Sequence, residues 1–257
     1  MGLTKAILRF AAPLPKIEKY QRFLFIGPHP DDIEIGAGAT ATKLVASGKE
    51  VRFLVCIDGR FGTVNATEGI EGDELVKIRQ QEARDSALKL GVTDVHFLGL
   101  KDGGFYEQKE LIQGIAKEVG DFQPDVIFAP DPSVTSECHV DHLNVGNAAK
   151  QIACFAPYKE IMEEYGAAFA PVKALAYYMT AKPTQYIKTI GFVKKQLDAI
   201  FTCHISQFPE GCGDAKAISL YIRLRSIDFG IRSFKGCAEG FRVLGVTQMH
   251  CLPEAGK

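Results

Sequence analysis

The chain has 257 residues, 46% of them hydrophobic and 24% charged. These are ordinary globular proportions over a length that buries a sizeable core, which argues against a disordered segment. The net charge of −1 argues against nucleic acid, whose binding draws on a basic excess. No apolar run reaches the roughly 20 residues that a membrane helix needs.

The seven cysteines are odd in number and contain no Cys-x-x-Cys pair. That pattern speaks against a disulfide framework and against a thiolate zinc knot. The cysteines read as buried or incidental thiols of a reducing compartment. Residues 1–16 hold too short an apolar stretch for a secretory signal, and Ala6 follows Gly2 where a myristoylation site wants Ser or Thr. The expectation is a cytoplasmic protein.

In chain order, residues 22–27 (RFLFIG) form a short apolar run ending at Pro28, which predicts a strand. Residues 36–48 predict a helix stopped by glycine, and residues 51–57 (VRFLVCI) a second strand. A long amphipathic helix follows over 73–90, ended by Gly91. Residues 95–98, 107–119 and 125–129 repeat the strand–helix–strand alternation. Beyond about residue 155 the pattern weakens. A strand is expected over 173–180, a helix over 189–208 and a last strand over 240–246, with a loose tail at 253–257.

Runs apolar on both faces and spaced by helices predict an α/β fold. We expect a Rossmann-like, mostly parallel sheet with helices on both faces. The chain reads as a single domain over 1–257, with a core at about 20–155 and a C-terminal elaboration at about 156–250. Such sheets bind ligands outside the carboxyl ends of their strands. The loops of interest therefore start at Pro28, Asp58, Gly99 and Pro130.

Two of those loops carry chemistry. The first reads Pro28-His29-Pro30-Asp31-Asp32, with two prolines stiffening the chain around His29. Adjacent carboxylates repel unless a cation lies beside them; the bland alternative is that Asp31 or Asp32 only caps the next helix. The second is His139-Val140-Asp141-His142, just after Pro130-Asp131-Pro132. If a helix starts near His139, residues three apart share a face and two imidazoles point one way. A hydrolytic zinc takes three His, Asp or Glu ligands and leaves one position open for water. His29, Asp32 and one of His139 and His142 supply that set. Asp31 and the other histidine are left over, as a base for the water and a partner for a developing oxyanion.

These residues resemble the LmbE/PIG-L family of zinc-dependent N-acetylglucosamine deacetylases. The likeness rests on His29-Pro30-Asp31-Asp32 with Ile33-Glu34-Ile35-Gly36-Ala37-Gly38, on His139-x-x-His142, and on the Arg79-Gln80-Gln81-Glu82-Ala83 helix. Gly91-Val92 and Asp102-Gly103 also fit. Within the family the sequence is most similar to diacetylchitobiose deacetylases. Asp58-Gly59-Arg60-Phe61-Gly62-Thr63, Ala129-Pro130-Asp131-Pro132, Ser206-Gln207-Phe208-Pro209 and Glu239-Gly240-Phe241-Arg242 carry that closer likeness. Ser133-Val134-Thr135 departs from it, where a bulkier aromatic loop is expected, and this bears on the identity of the sugar.

The resemblance implies that His29, Asp32 and His142 hold one zinc ion. Asp31 is then the general base and His139 the cationic stabiliser of the oxyanion. Arg79 is expected at the sugar-binding edge; its alternative is a helix-surface arginine paired with Glu82. His250 is expected to reach an active site, a neighbour's in a homo-oligomer, and to touch substrate or oxyanion. Cys138 has no role in the pattern. The expected reaction removes acetate from a small N-acetylated sugar. The competing readings are a zinc amidase on another N-acyl substrate, such as an amino-sugar thiol conjugate, a non-catalytic zinc module, and a nucleotide-binding protein. For the last, Gly36-Ala37-Gly38 is only a fragment of the glycine fingerprint.

Overall fold

The computed structural model describes residues 3–66 and 68–250. Gly2, Cys251 and the tail expected at 253–257 lie outside them. The elements run α1 (Leu3–Ala11), a 3-10 turn (Ile17–Lys19), β1 (Arg22–Gly27), α2 (Asp32–Ala46), β2 (Glu50–Ile57), α3 (Gly72–Leu90), β3 (Asp94–Leu100), α4 (Gln108–Phe122), β4 (Val126–Pro130) and α5 (Val140–Phe155). They continue with α6 (Lys159–Glu164), β5 (Ala174–Tyr178), β6 (Gln185–Lys188), α7 (Val193–Cys203), α8 (Gly213–Ser233), β7 (Ala238–Gly245) and α9 (Val246–His250). No described helix is long and apolar enough to cross a membrane.

The strands form one sheet in the order β3-β2-β1-β4-β5-β7-β6. The first five are parallel, and β7 runs antiparallel between β5 and β6. This is the mostly parallel, doubly covered sheet that the sequence predicts. β1 shows why its residues read as apolar throughout. Phe23 and Phe25 enter a core shared with Ile33, Ala37, Ala87 and Ala199 of α2, α3 and α7. Leu24 and Ile26 enter the opposite core, with Leu111 and Ile115 of α4 and Val145 of α5. A strand buried on both sides cannot alternate.

The chain adds β2 and β3 on one side of β1, then crosses to place β4 on the other. A crevice opens at such a reversal, at the carboxyl ends of the two central strands. The loop after β1 carries His29 to Asp32, and the loop after β4 carries His139.

Several boundaries differ from expectation, each for a physical reason. α2 begins at Asp32 rather than at 36. Gly36 and Gly38 lie inside the helix because neighbours approach it closely: a Cβ on Gly36 would overlap the Tyr178 ring, and one on Gly38 would meet Gln196 at 3.0 Å. The glycines serve packing, not phosphate binding. α7 covers only Val193–Cys203 of the expected 189–208. Gly191, at φ 85°, turns the chain before it. After it, Glu82 accepts hydrogen bonds from Ser206 N and Oγ at 2.7 and 2.6 Å and holds residues 204–208 out of the helix. The sequence pattern predicts no helix where α8 stands. Ile222 and Phe229 are buried on one side while leucines and isoleucines stand exposed on the other, so no single apolar stripe marks it.

Candidate metal centre and active site

α2 and α5 start at the crevice and bring their first turns together. Asp31 occupies the N-cap position of α2 at φ 125° and makes no side-chain capping bond, so the bland capping reading does not describe it. His139 is the N-cap of α5, its Nδ1 accepting from the Asp141 backbone N–H at 3.3 Å. Three residues on, the His142 ring stacks on His139 with centroids 4.8 Å apart and planes at 20°. The shared helical face predicted for this pair is present.

Asp32 is the hub. His29 Nδ1 lies 3.2 Å and His142 Nε2 3.4 Å from its Oδ2. Ligand-type atoms of His29, Asp32 and His142 all lie within 4.8 Å of one another. The second nitrogen of each ring meets another carboxylate. His29 Nε2 is 3.3 Å from both Asp102 Oδ1 and Asp141 Oδ2. His142 Nδ1 is 3.0 Å from Glu137 Oε2. Metal-binding histidines are commonly oriented by such a carboxylate on the far nitrogen, so the donor set fits a divalent cation.

A second group of potential ligands, His29, Asp102, His139 and Asp141, overlaps the first. Its carboxylates are already engaged. Asp141 is fully buried and accepts from the Gly103 and Gly104 N–H groups at 2.9 Å each. Asp102 accepts from the Phe61 N–H at 3.1 Å. They read as supports for His29. The sequence reasoning gave no role to Asp102, Asp141 or Glu137. The Asp141 between the two histidines and the Asp102-Gly103 pair were the available signals; Glu137 had none.

The electrostatics separate the neighbours. Burial pushes the Asp31 carboxyl up, and the negative Asp32 beside it adds to the effect, so that it titrates at about 7. Asp32 is buried too, yet the two histidines hold it well below the usual carboxylate range. Burial alone would depress His142, but Asp32 lifts it to about 9. His139 moves down, through its part-burial and the charges of His29 and His142.

The cleft around these groups holds about 510 Å³ of space open to water, a volume suited to a small molecule. Asp31, Phe61, Arg79, Gln207, Phe208, Asp214 and Ile218 line it with the histidines. Arg79 is 5% exposed, not a surface arginine. Its guanidinium donates to the Gly59 and Gly62 carbonyls at 2.9 and 2.8 Å and to Gln207 Oε1. Glu82, its alternative partner, is taken by Ser206. Other matched segments also prove to be each other's partners: Arg242 on β7 donates to Asp131 at the end of β4, at 2.9 and 2.5 Å.

His250 lies elsewhere. It is exposed at the end of α9 and lines a separate hollow with Ala153, Cys154 and Tyr158. Cys154 is some 18 Å along α5 from His142, at 1.5 Å per residue. Cys138 is exposed beside His139, and its thiol donates to the Ser136 carbonyl at 3.7 Å.

A doubly wound sheet with a two-histidine, one-aspartate centre and a spare buried carboxyl defines a metal-dependent hydrolase. The sequence matches the family described as PIG-L: GlcNAc-PI de-N-acetylase over residues 24–153. It is 30% identical to a diacetylchitobiose deacetylase of Thermococcus kodakarensis, over 98% of this chain and 93% of that protein. The fold superposes on an N,N'-diacetylchitobiose deacetylase of Pyrococcus horikoshii with a TM-score of 0.85, at 28% identity and over 98% and 97% of the two chains. A 1D-myo-inositol 2-acetamido-2-deoxy-alpha-D-glucopyranoside deacetylase of Kineococcus radiotolerans is 32% identical over only 47% of this chain and 35% of its own. The chain belongs to the PIG-L family, and it is a hydrolase of amide bonds.

Proposed function

We propose that this chain is a zinc-dependent deacetylase acting on the N-acetylglucosamine unit of a diacetylchitobiose-like sugar, with acetate and the free amino sugar as products. The observation that carries the reading is the convergence of His29, Asp32 and His142 beside a spare buried carboxyl, Asp31. The relatives matched over 98% of the chain are diacetylchitobiose deacetylases, whereas inositol-linked deacetylases match it over 47% and 76%. Two imidazoles and a carboxylate are a donor set that suits zinc.

A zinc ion held there supplies a Lewis acid that polarises the acetamide carbonyl and acidifies water. The protein's own groups do the rest. Asp31 accepts the proton of the attacking water and passes it to the leaving nitrogen; a carboxyl titrating near 7 exchanges protons readily at neutral pH. His139 faces the same cleft and donates a hydrogen bond to the developing oxyanion. Its Nδ1 already accepts from Asp141, and its surroundings oppose a charge. We therefore assign it a neutral ring donating through Nε2, in place of the cationic role that the family pattern implies. Arg79 holds the Gly59–Gly62 turn at the sugar-binding edge of the cleft.

His250 cannot reach its own chain's cleft from the far end of α5, so its proposed contact with substrate requires a neighbouring subunit of a homo-oligomer. The chain is assigned to the cytoplasm on its cysteine pattern. Metal analysis of purified protein, run beside acetate release from diacetylchitobiose and N-acetylglucosamine, tests the whole reading. About one zinc per chain with acetate released supports it. A metal-loaded protein that frees no acetate from either sugar rules out the proposed substrate.

A further inference from the structure

Two exposed phenylalanines stand at the edge of the catalytic cleft. Phe61, on the loop after β2, lines the cleft and is 51% exposed; Phe105, on the loop after β3, is 67% exposed. Their ring centroids are 6.0 Å apart and their planes meet at 85°, so they form an open corner. Lys101 completes it, its Nζ 5.9 and 5.6 Å from the two centroids. A single exposed phenylalanine is ordinary. Two that converge beside a polar cleft, with one ammonium over both, mark a surface for a ligand.

The corner is held by the groups that support the metal centre. β2 and β3 are parallel neighbours, and the Asp58 carboxylate, just past β2, accepts from the Asp102 N–H at 3.2 Å. The Phe61 N–H donates to Asp102 Oδ2 at 3.1 Å, and Oδ1 of that carboxylate lies 3.3 Å from His29 Nε2. On the other loop the Gly103 and Gly104 N–H groups both donate to Asp141, which also faces His29. Gly103 has a φ of 81°, and the two rings close over it: an added Cβ would meet Phe105 at 3.2 Å and Phe61 at 3.6 Å. The backbone that carries both rings is thus fixed before a ligand arrives, which removes part of the ordering cost of binding.

The metal ligands, Asp31 and His139 all follow β1 and β4, whereas the corner follows β2 and β3. It therefore meets a part of the substrate away from the acetamide. We propose that Phe61, Phe105 and Lys101 form a second sugar subsite, which takes the pyranose ring next to the N-acetylglucosamine unit that loses its acetyl group. A pyranose has a face of C–H groups and a rim of hydroxyls. The face packs on an aromatic ring, and the rim accepts from the Lys101 ammonium. The inference rests on the deacetylase reading and adds to it the residues that select a substrate of at least two rings.

The test measures binding by calorimetry to the full-length, metal-loaded Asp31→Asn protein, which leaves the substrate intact, with N-acetylglucosamine and diacetylchitobiose as the probes. The disaccharide should bind more tightly than the monosaccharide. Adding Phe105→Ala should cut that advantage about ten-fold, the size of a lost aromatic packing contact. Phe105→Tyr, which keeps the ring, should preserve it, with equal zinc in all three proteins. Equal affinity of the parent protein for the two sugars overturns the subsite and leaves the deacetylase reading standing. So does an advantage that survives Phe105→Ala, or one lost equally in Phe105→Tyr. A parent protein that binds neither sugar overturns the proposed substrate and the subsite together.

Discussion

The Asp31 backbone has a φ of 125°, which a residue with a side chain holds only where its surroundings impose it. The turn sends two consecutive carboxylates to different neighbours, Asp32 to the histidines and Asp31 to the buried side of the cleft. Asp31→Asn should therefore keep its zinc and lose about 10²–10⁴-fold in turnover, the usual cost of a missing general base. Asp32→Asn should lose metal instead; metal content and acetate release measured on the same samples distinguish the two. The pH dependence follows from the same carboxyl. A base works only when ionised, and Asp31 titrates at about 7 before a bound cation lowers it. The acid limb of kcat/KM should thus fall as pH drops through 7 or below, and it should vanish in Asp31→Asn. For His139 a neutral donor should suffice, so His139→Gln should retain more activity than His139→Ala. Equal losses in the two variants would return the cationic role to this residue.

At the level of elements, α2 shows how packing overrides local signals. Glycine inside a helix costs about 1 kcal/mol against alanine, so Gly36→Ala would stabilise an isolated helix. Here the added methyl overlaps Tyr178, which is fully buried and donates from its hydroxyl to the Ile26 carbonyl at 2.9 Å. Overpacking a rigid core costs roughly 1–3 kcal/mol, which outweighs the propensity gain. Gly36→Ala should lower the thermal midpoint by a few degrees, and an unchanged or raised midpoint would show that Tyr178 can move aside. The Arg79–Glu82 helix works at the same scale. Its two charged groups hold the Gly59–Gly62 turn and residues 204–208, so one turn of α3 shapes two walls of the cleft.

At the scale of the whole molecule, the centre draws on strand ends that lie far apart in sequence, and the His250 proposal depends on a second subunit. Removing residues 247–257 would be a poor probe. Gln248 donates to the Ala12 carbonyl and accepts from the Gly245 N–H, and Met249 packs on the core. His250→Ala spares these contacts. It should lower kcat/KM for the sugar while bound zinc and assembly size stay as in the wild type. Full activity in that variant would remove His250 from the active site.

Six of the seven strands, the mostly parallel pairing and the candidate metal ligands were legible because each is written locally; β6 (Gln185–Lys188) was not. Phe23 to Ile26 are apolar without interruption because both faces are buried. His29 and Asp32 stand within four residues on one loop, and His139 and His142 within one helical turn. The sequence suggests a division of labour between Asp31 and Asp32 but holds no physical reason for it, because the two residues are alike until the fold gives each its own neighbours. The supports of the centre were illegible for the same reason. Asp102 reaches His29 across 73 positions and Arg242 reaches Asp131 across 111, and nothing local announces a partner at that range. α8 escaped notice because its buried and exposed faces are both apolar, which erases the helical period. Local sequence thus determined which residues could bind a metal. The tertiary structure alone decided which of the two buried carboxylates meets the imidazoles, because proximity at that range does not exist until the strands have paired.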